Sequence, residues 1–340
     1  MNDMNINEYL TPHKLNRPIF SGDGLPDSYR KQAVDCPFVF YHNDKFYMMH
    51  VGFDGKGYQT ALNTSDNLID WQYETTIFKR TEGEKSWDAV GIAGMWILKE
   101  NDMQDLPRLK KYDGRYWMIY HSYPSEGYES GPAEIGLAYT DDETLHNWTR
   151  CENPILSWRD GNEWEKGGLY KGCLIESEGK FYLFYNAKNT KEWLWNEQIG
   201  LATSDNLLEW VRSNDNPIIK NTENGWDSAF CADPFILKNK DKWIMYYYGF
   251  NGDNAQEGIA FSDDLNYWDK YPNPILKIGR ENAIDNIHAH KPSVLMFNKV
   301  LYHFYTAVGH PPENVGTVNF VPELGYEESR TITLATSQPL

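Results

Sequence analysis

Hydrophobic and polar positions alternate along this chain in a pattern that returns five times. The copies are KFYMMHVGF (45–53), RYWMIYHSY (115–123), KFYLFYNAK (180–188), KWIMYYYGF (242–250) and VLYHFYTAV (300–308). Aromatic and aliphatic residues alternating in this way predict a strand. A further apolar run precedes each copy, such as CPFVFYH (36–42) or DPFILK (233–238). Four copies lead into a polar turn that ends in tryptophan: TSDNLIDW (64–71), YTDDETLHNW (139–148), TSDNLLEW (203–210) and FSDDLNYW (261–268). In three of them NPIL, NPII and NPIL (153–156, 216–219, 273–276) then predict a short outer strand. No long segment carries a helical period.

Each unit thus predicts four short strands joined by Asn, Asp and Gly turns. Repeated four-stranded units without intervening helices predict an all-β, five-bladed β-propeller, a single domain over 1–340. The last unit stops at TITLATSQPL (331–340) without an outer NPIL, whereas NRPIF (16–20) near the start resembles one. The N-terminal segment is therefore expected to complete the last blade and close the ring, with pairing between 16–20 and 331–337. In the second unit two registers fit. Asp105-Leu106-Pro107 can open the inner strand, or GIAGMWIL (91–98) can be that strand, with 99–109 as an insertion.

Composition narrows the function. Aromatic residues make up 15% of the chain, with 13 Trp, 23 Tyr and 15 Phe, which suits both strands and ligand stacking. The formal net charge of −17 lacks the basic footprint of a nucleic-acid or anionic-membrane binder, so neither is an expected partner. The opening MNDMNINEYLTPHKLNRP has no apolar core of a signal peptide, and the expected location is cytoplasmic. Cys36, Cys151, Cys173 and Cys231 match no metal-ligand spacing and are expected as buried thiols.

The first strand of a blade lies innermost, so its leading residues face the central pocket. Asp35 and Asp233 stand there, just ahead of Pro37 and Pro234. Carboxylates that converge from different blades suit glycoside hydrolysis, which needs one group to activate water or attack the sugar and another to protonate the leaving oxygen. Lys171, His290 and Lys291 hold related places, and the lysines suit a carboxylated sugar or a phosphate. His288 shares a strand face with His290; proton donor, ligand contact, cation ligand and plain structure all remain open for the two. Acidic residues opening the units at Asp88, Asp227 and Asp285 are expected as scaffold, and so are Asp66, Asp141, Asp205 and Asp263 in the turns. Glu165 holds the same opening place. Trp193 and Trp195 in the 186–198 loop, with Phe53 and Phe250 at the ends of second strands, are candidate sugar-stacking faces, although packing use serves the tryptophans nearly as well. Glu134 and Glu197 fall at matching repeat positions and are expected as strand-edge structure.

Asp35-Cys36-Pro37-Phe38, Ala232-Asp233-Pro234-Phe235, the IGLATSDNLLEW segment (199–210) and NPIL together resemble the five-bladed propeller glycosidases, glycoside hydrolase family 43 and relatives such as families 32, 62, 117 and 130. The resemblance covers essentially the whole chain. It implies an inverting glycosidase acting on a small oligosaccharide or glycoside, with Asp35 as general base and Asp233 as a second pocket carboxylate. The third-blade glutamate that usually serves as acid is replaced here by Leu169-Tyr170-Lys171-Gly172, so Glu165 and His288 become candidate proton donors. Asp285-Asn286-Ile287-His288-Ala289-His290-Lys291-Pro292 is similar to the family 117 layout, in which a histidine is thought to be the acid. No cofactor is required on this reading, though the resemblance to calcium-assisted arabinanases admits Ca2+ in the central channel. Two rivals remain: a non-catalytic propeller that binds sugar or protein, and a phosphate-dependent phosphorylase of the family 130 kind.

Overall fold

The repeated patterns fold as the strands they predict. The computed structural model describes residues 5–80, 83, 86–190, 195–311, 319–321 and 326–340. Three short 3-10 turns, Ile6–Tyr9, Trp158–Asp160 and Glu163–Glu165, are the helical elements among the described residues, and the rest of the regular structure is strand. Among the described residues no helix is long and apolar enough to cross a membrane.

The strands form successive antiparallel meanders. The first runs Ala33–His42, Lys45–Phe53, Tyr58–Ser65, Gln72–Phe78; the second Gly91–Ile97, Tyr116–Tyr123, Glu134–Thr140, Thr149–Arg150. The third is Gly168–Ser177, Lys180–Lys188, Glu197–Ser204, Val211–Arg212, and the fourth Phe230–Asn239, Lys242–Phe250, Ala255–Ser262, Asp269–Lys270. The third and fourth are laced with a final meander into one 13-stranded sheet by parallel contacts such as Glu197↔Phe230 and Ala255↔His288. Its final meander comprises His288–Phe297, Val300–Gly309, Tyr326–Thr336 and the N-terminal pair His13–Lys14.

That N-terminal pair takes the place of an outer strand. In the second to fourth units the outer strand has two residues and ends in Arg150, Arg212 or Lys270. Each cation meets the acid that opens its own unit, at 2.8 Å (Asp88), 2.8 Å (Glu165) and 2.7 Å (Asp227). A second-strand tyrosine, Tyr120, Tyr185 or Tyr247, donates to the same acid. In the last unit Lys14 reaches Asp285, which accepts from Tyr305 at 2.9 Å. The NPIL segments follow this outer strand and do not form it: each makes one bridge to the third strand, Ile135↔Leu156, Ile199↔Ile219 or Glu257↔Leu276. NRPIF makes the same kind of bridge, Phe20↔Ile332.

Recurrent sequence letters have local causes. In the turns, Ser65, Ser204 and Ser262 accept backbone N–H bonds, and the indole N–H of Trp71, Trp148, Trp210 or Trp268 closes onto the carbonyl three residues back. The capping carboxamide or carboxylate is Asn67, Asp142, Asn206 or Asp264, one residue beyond the expected Asp66, Asp141, Asp205 and Asp263. Gly136, Gly200 and Gly258 lie under Trp87, Trp164 and Trp226, where a Cβ would come within 2.5–2.7 Å of the indole.

The second unit resolves in favour of Gly91–Ile97 as inner strand. The excursion after it crosses from the first unit (Tyr41 N–H to Pro107 carbonyl, 2.9 Å) to the fourth (Lys238 N–H to Asn101 carbonyl, 2.7 Å). Both contacts lie toward the C-terminal ends of the inner strands, opposite the ends that carry Asp35 and Asp233. This crossing covers those ends of the inner strands. Lys99 is 1% exposed there, its amine 4.7 Å from the Trp96 ring centroid and 5.4 Å from Phe235.

Candidate active site

The site is built from irregularities at the start of the inner strands. Register slips between Asp35 and Phe38, Tyr170 and Gly172, Ala232 and Phe235, and His290 and Ser293. Cys36, Lys171, Asp233 and Lys291 adopt φ of 55°, 33°, 54° and 66° at these slips. Bulges re-aim side chains and are favoured next to active sites, and a left-handed non-glycine residue carries strain. Pro37, Pro234 and Pro292 fit because a residue without an N–H loses nothing where the ladder is already broken.

Asp35 is saturated. Its Oδ1 accepts from the Cys36 N–H (2.9 Å) and the Thr306 hydroxyl (2.7 Å). Its Oδ2 accepts from Lys291 Nζ (2.8 Å) and Arg330 Nη1 (3.1 Å), with the Tyr58 and Tyr128 hydroxyls at 3.4 Å. Burial pushes this carboxyl up, but Lys291 and Arg330 more than offset it and hold it well below the usual carboxylate range. A carboxylate so depressed is a weak base, and no lone pair is left to take a proton from water. The geometry of Asp35 is that of an anchor for two cations, at odds with the general-base role expected from the sequence.

Asp233 has the opposite environment. It is 3% exposed and its Oδ2 has no hydrogen-bond partner. Burial raises it to about 7; Lys291 and Lys171 oppose the rise, and Glu197 and Asp35 add to it. Two carboxyl groups of one pocket, pushed apart in this way, are the usual mark of a divided acid–base task. Raised to about 7, Asp233 retains a proton well above the pH at which Asp35 has lost its own.

Neither His288 nor Glu165 fits the expected role of proton donor. Burial, then Arg330, lowers His288 to about 3, and its Nδ1 accepts from the Ala255 N–H at 3.0 Å, which leaves the ring neutral at pH 7. Glu165 is fully buried beside Arg212 and Tyr185, and its other oxygen accepts from the Asn162 N–H at 2.7 Å. It is the scaffold counterpart of Asp88, Asp227 and Asp285. His290 donates from Nδ1 to the Thr306 carbonyl (3.0 Å) and accepts from Arg330 through Nε2 (3.2 Å), so it positions the guanidinium.

The remaining expected residues divide. Lys171 is 6% exposed, and its charge acts on Asp233, Cys36 and His121. Phe53 packs edge-on against Tyr58 and Tyr128, and Phe250 against His288. Trp195 stacks on Phe230 and donates to Glu197 Oε1 at 2.7 Å, so it holds a carboxylate in place. Trp193 lies outside the described residues. His288 Nδ1 and both ring nitrogens of His290 serve the backbone and Arg330, and among the described residues no group of three or more His, Cys, Asp or Glu could hold a metal ion.

Sequence reading missed Arg330, Glu129, Tyr58 and Tyr128. Arg330 forks onto Glu328 (2.9 and 2.8 Å) with its guanidinium 5.1 Å from the Tyr128 ring centroid. Its signal was present: Glu328 and Arg330 share a strand face with Ile332 and Leu334, a charged pair inside an apolar alternation. Tyr128 and Glu129 ride the loop between Tyr116–Tyr123 and Glu134–Thr140, anchored to the first unit where the Gly127 N–H donates to the Lys56 carbonyl at 2.8 Å. Glu197, expected as strand edge, accepts from Asn186 (3.1 Å) as well as Trp195, and its charge reaches Asp233.

With this geometry in place, comparison with known proteins gives the family. The description "Glycosyl hydrolases family 32 N-terminal domain" matches residues 98–290, more than half of the chain. The chain belongs to that family. Among solved structures, the family-32-type domain is similar to the BT0996 RGII complex, at 30% identity over 98% of this chain and 94% of that one, with a TM-score of 0.82. Among curated proteins it is similar to the 1,2-beta-oligomannan phosphorylase of Thermoanaerobacter sp. (strain X514), 28% identical over 255 residues and 73% of each chain. The beta-1,2-mannobiose phosphorylase of the same organism is 33% identical over 136 residues, 35% of this chain and 44% of that protein. The family-32-type domain is thus an all-β, propeller-like domain of glycosyl-processing type.

Proposed function

We propose that the protein hydrolyses a glycosidic bond in a small oligosaccharide or glycoside by single displacement, with Asp233 as proton donor. The observation that carries this reading is the buried Asp233 carboxyl, whose Oδ2 has no hydrogen-bond partner and which burial raises to about 7 beside the ionised Asp35. Asp35 then fixes Lys291 and Arg330, and the tyrosines and Phe53 form an apolar wall for the sugar. The blade count belongs to the same reading: five four-stranded blades, with the N-terminal strand closing the ring. Its support is Lys14, which repeats the role of Arg150, Arg212 and Lys270.

Charge favours water over phosphate as the attacking species. Lys171, Lys188, Lys291 and Arg330 are cations of the described site, and Asp35, Glu129, Glu197 and Glu328 balance them. A phosphate dianion would enter a site without surplus positive charge. Phosphorolysis remains the second reading because two relatives are named phosphorylases. The test is a screen of the purified protein on aryl glycosides (arabinofuranosides, xylosides, galactosides, mannosides) and on oligosaccharides including RGII fragments, with and without inorganic phosphate. Phosphate-independent release of reducing sugar supports hydrolysis. Release of a sugar 1-phosphate only when phosphate is present overturns it.

A further inference from the structure

We propose that Glu129 is the second catalytic carboxylate, the general base that activates water opposite Asp233. This inference rests on the hydrolase reading and supplies the group that reading lacks, since Asp35 has no free lone pair.

Three independent observations support it. The first is position: Glu129 Oε1 accepts from the Tyr58 hydroxyl at 2.9 Å and from Lys291 Nζ at 3.4 Å, which places a carboxylate from the second unit at the mouth of the first and last. Both bonds fall on Oε1 and none on Oε2 among the described residues. The second is access. The Glu129 side chain is 30% exposed, whereas Asp35 is 1% and Asp233 3% exposed, so Glu129 alone of the three meets solvent water. The third is backbone strain. Glu129 has φ of 46° between Gly127 (φ 126°) and Gly131 (φ 86°), a conformation glycine would adopt at less cost. A non-glycine residue kept there points to a requirement for its side chain.

The step balances. Glu129 Oε2 takes a proton from water as the water oxygen bonds to the anomeric carbon. The glycosidic C–O bond breaks, its electron pair passes to the leaving oxygen, and Asp233 gives that oxygen its proton. The products are a hemiacetal of inverted configuration and an alcohol; the two carboxyl groups have exchanged protonation states, and solvent resets them.

The experiment uses whichever 2,4-dinitrophenyl glycoside the wild-type full chain cleaves without phosphate. E129Q should lose about a thousandfold in kcat/KM on this activated substrate, because a missing base is not replaced by a good leaving group. E129A with sodium azide should recover turnover and yield the glycosyl azide of inverted configuration, a readout that requires an intact pocket. Retention of more than a tenth of wild-type kcat/KM by E129Q overturns the inference, and so does an E129A variant that azide leaves inactive. A wild-type protein silent without phosphate would instead sink the hydrolase reading, and the base with it.

Discussion

Asp233→Asn tests the proposed division of labour between the two pocket carboxyls. The rise of Asp233 from an ordinary 3.8 to about 7 corresponds to about 4 kcal/mol in favour of the protonated form. Asparagine keeps the shape and removes the transferable proton. Toward a glycoside with an alcohol leaving group, kcat/KM should fall by ~10²–10⁴-fold, the usual contribution of a positioned acid. The alkaline limb of the wild-type kcat/KM profile should lie near pH 7 and be absent from the residual activity of the variant. Dinitrophenyl glycosides, whose leaving group needs no proton, should lose far less. Stability gives a second measurement. Between pH 3.8 and 7 the unfolded chain has released a proton that the fold retains, so this group costs stability as pH rises through that window. Chemical denaturation should therefore show Asp233→Asn gaining on the wild type by up to about 4 kcal/mol at pH 8 relative to pH 4. A limb near pH 7 that persists in the variant, or a stability difference equal at pH 4 and pH 8, refutes the assignment.

Other perturbations probe the surroundings. Asp35→Asn leaves Lys291 and Arg330 buried without their shared carboxylate and should cost about 3–5 kcal/mol in denaturant unfolding; a variant as stable as wild type would show that Asp35 does not anchor them. Lys99→Met addresses the crossing segment, where burial pushes the amine from 10.5 down to about 7. Stability rises as pH climbs from 7 to 10.5, where the fold has shed a proton the unfolded chain keeps, so the gain on substitution should be larger at pH 6 than at pH 10 by up to about 5 kcal/mol. The same variant should keep the alkaline limb assigned to Asp233. Lys14→Met strands Asp285, which is 1% exposed, and should cost about 3 kcal/mol in thermal or denaturant melts; no change would mean the N-terminal strand is dispensable.

Strand periodicity and turn chemistry are local properties, and both were legible. The second strands of all the units, the tryptophan-closed turns and the likeness of NRPIF to NPIL could be read directly. Asp35 and Asp233 stood out because a proline follows them where a ladder must break. Protonation, in contrast, is decided by groups far apart in the chain. Asp35 and Asp233 look alike in sequence, but only the former meets Lys291 and Arg330, 256 and 295 residues away. Glu165 became a candidate acid because the expected third-blade glutamate is missing, yet it opens its unit as Asp88 and Asp227 open theirs, and the arginine that neutralises it comes 47 residues later. His288 is of a type that titrates near neutrality, but burial removes its proton. Glu129 could not be singled out, since its meaning lies in a left-handed backbone conformation and in partners from two other units.

The pairing of His13 with Thr336 joins residues 323 positions apart. A ribosome delivers His13 long before Thr336, so this seam cannot form until the strand that carries Thr336 has emerged. Until then Phe20, Val34, Phe304, Ile332 and Leu334, which share one apolar cluster in the finished protein, lack their full complement of neighbours. Joining ends separated by such a span costs about 5 kcal/mol of chain entropy if the intervening units are unstructured, and less once they have folded. Nascent chains would therefore carry an uncovered apolar edge until residues 332–334 are made, a condition that favours aggregation or chaperone capture. Because Asp35 is translated early and Arg330 late, the pocket is assembled in the same final event. Closure of the strand pair and assembly of the pocket are thus one transition.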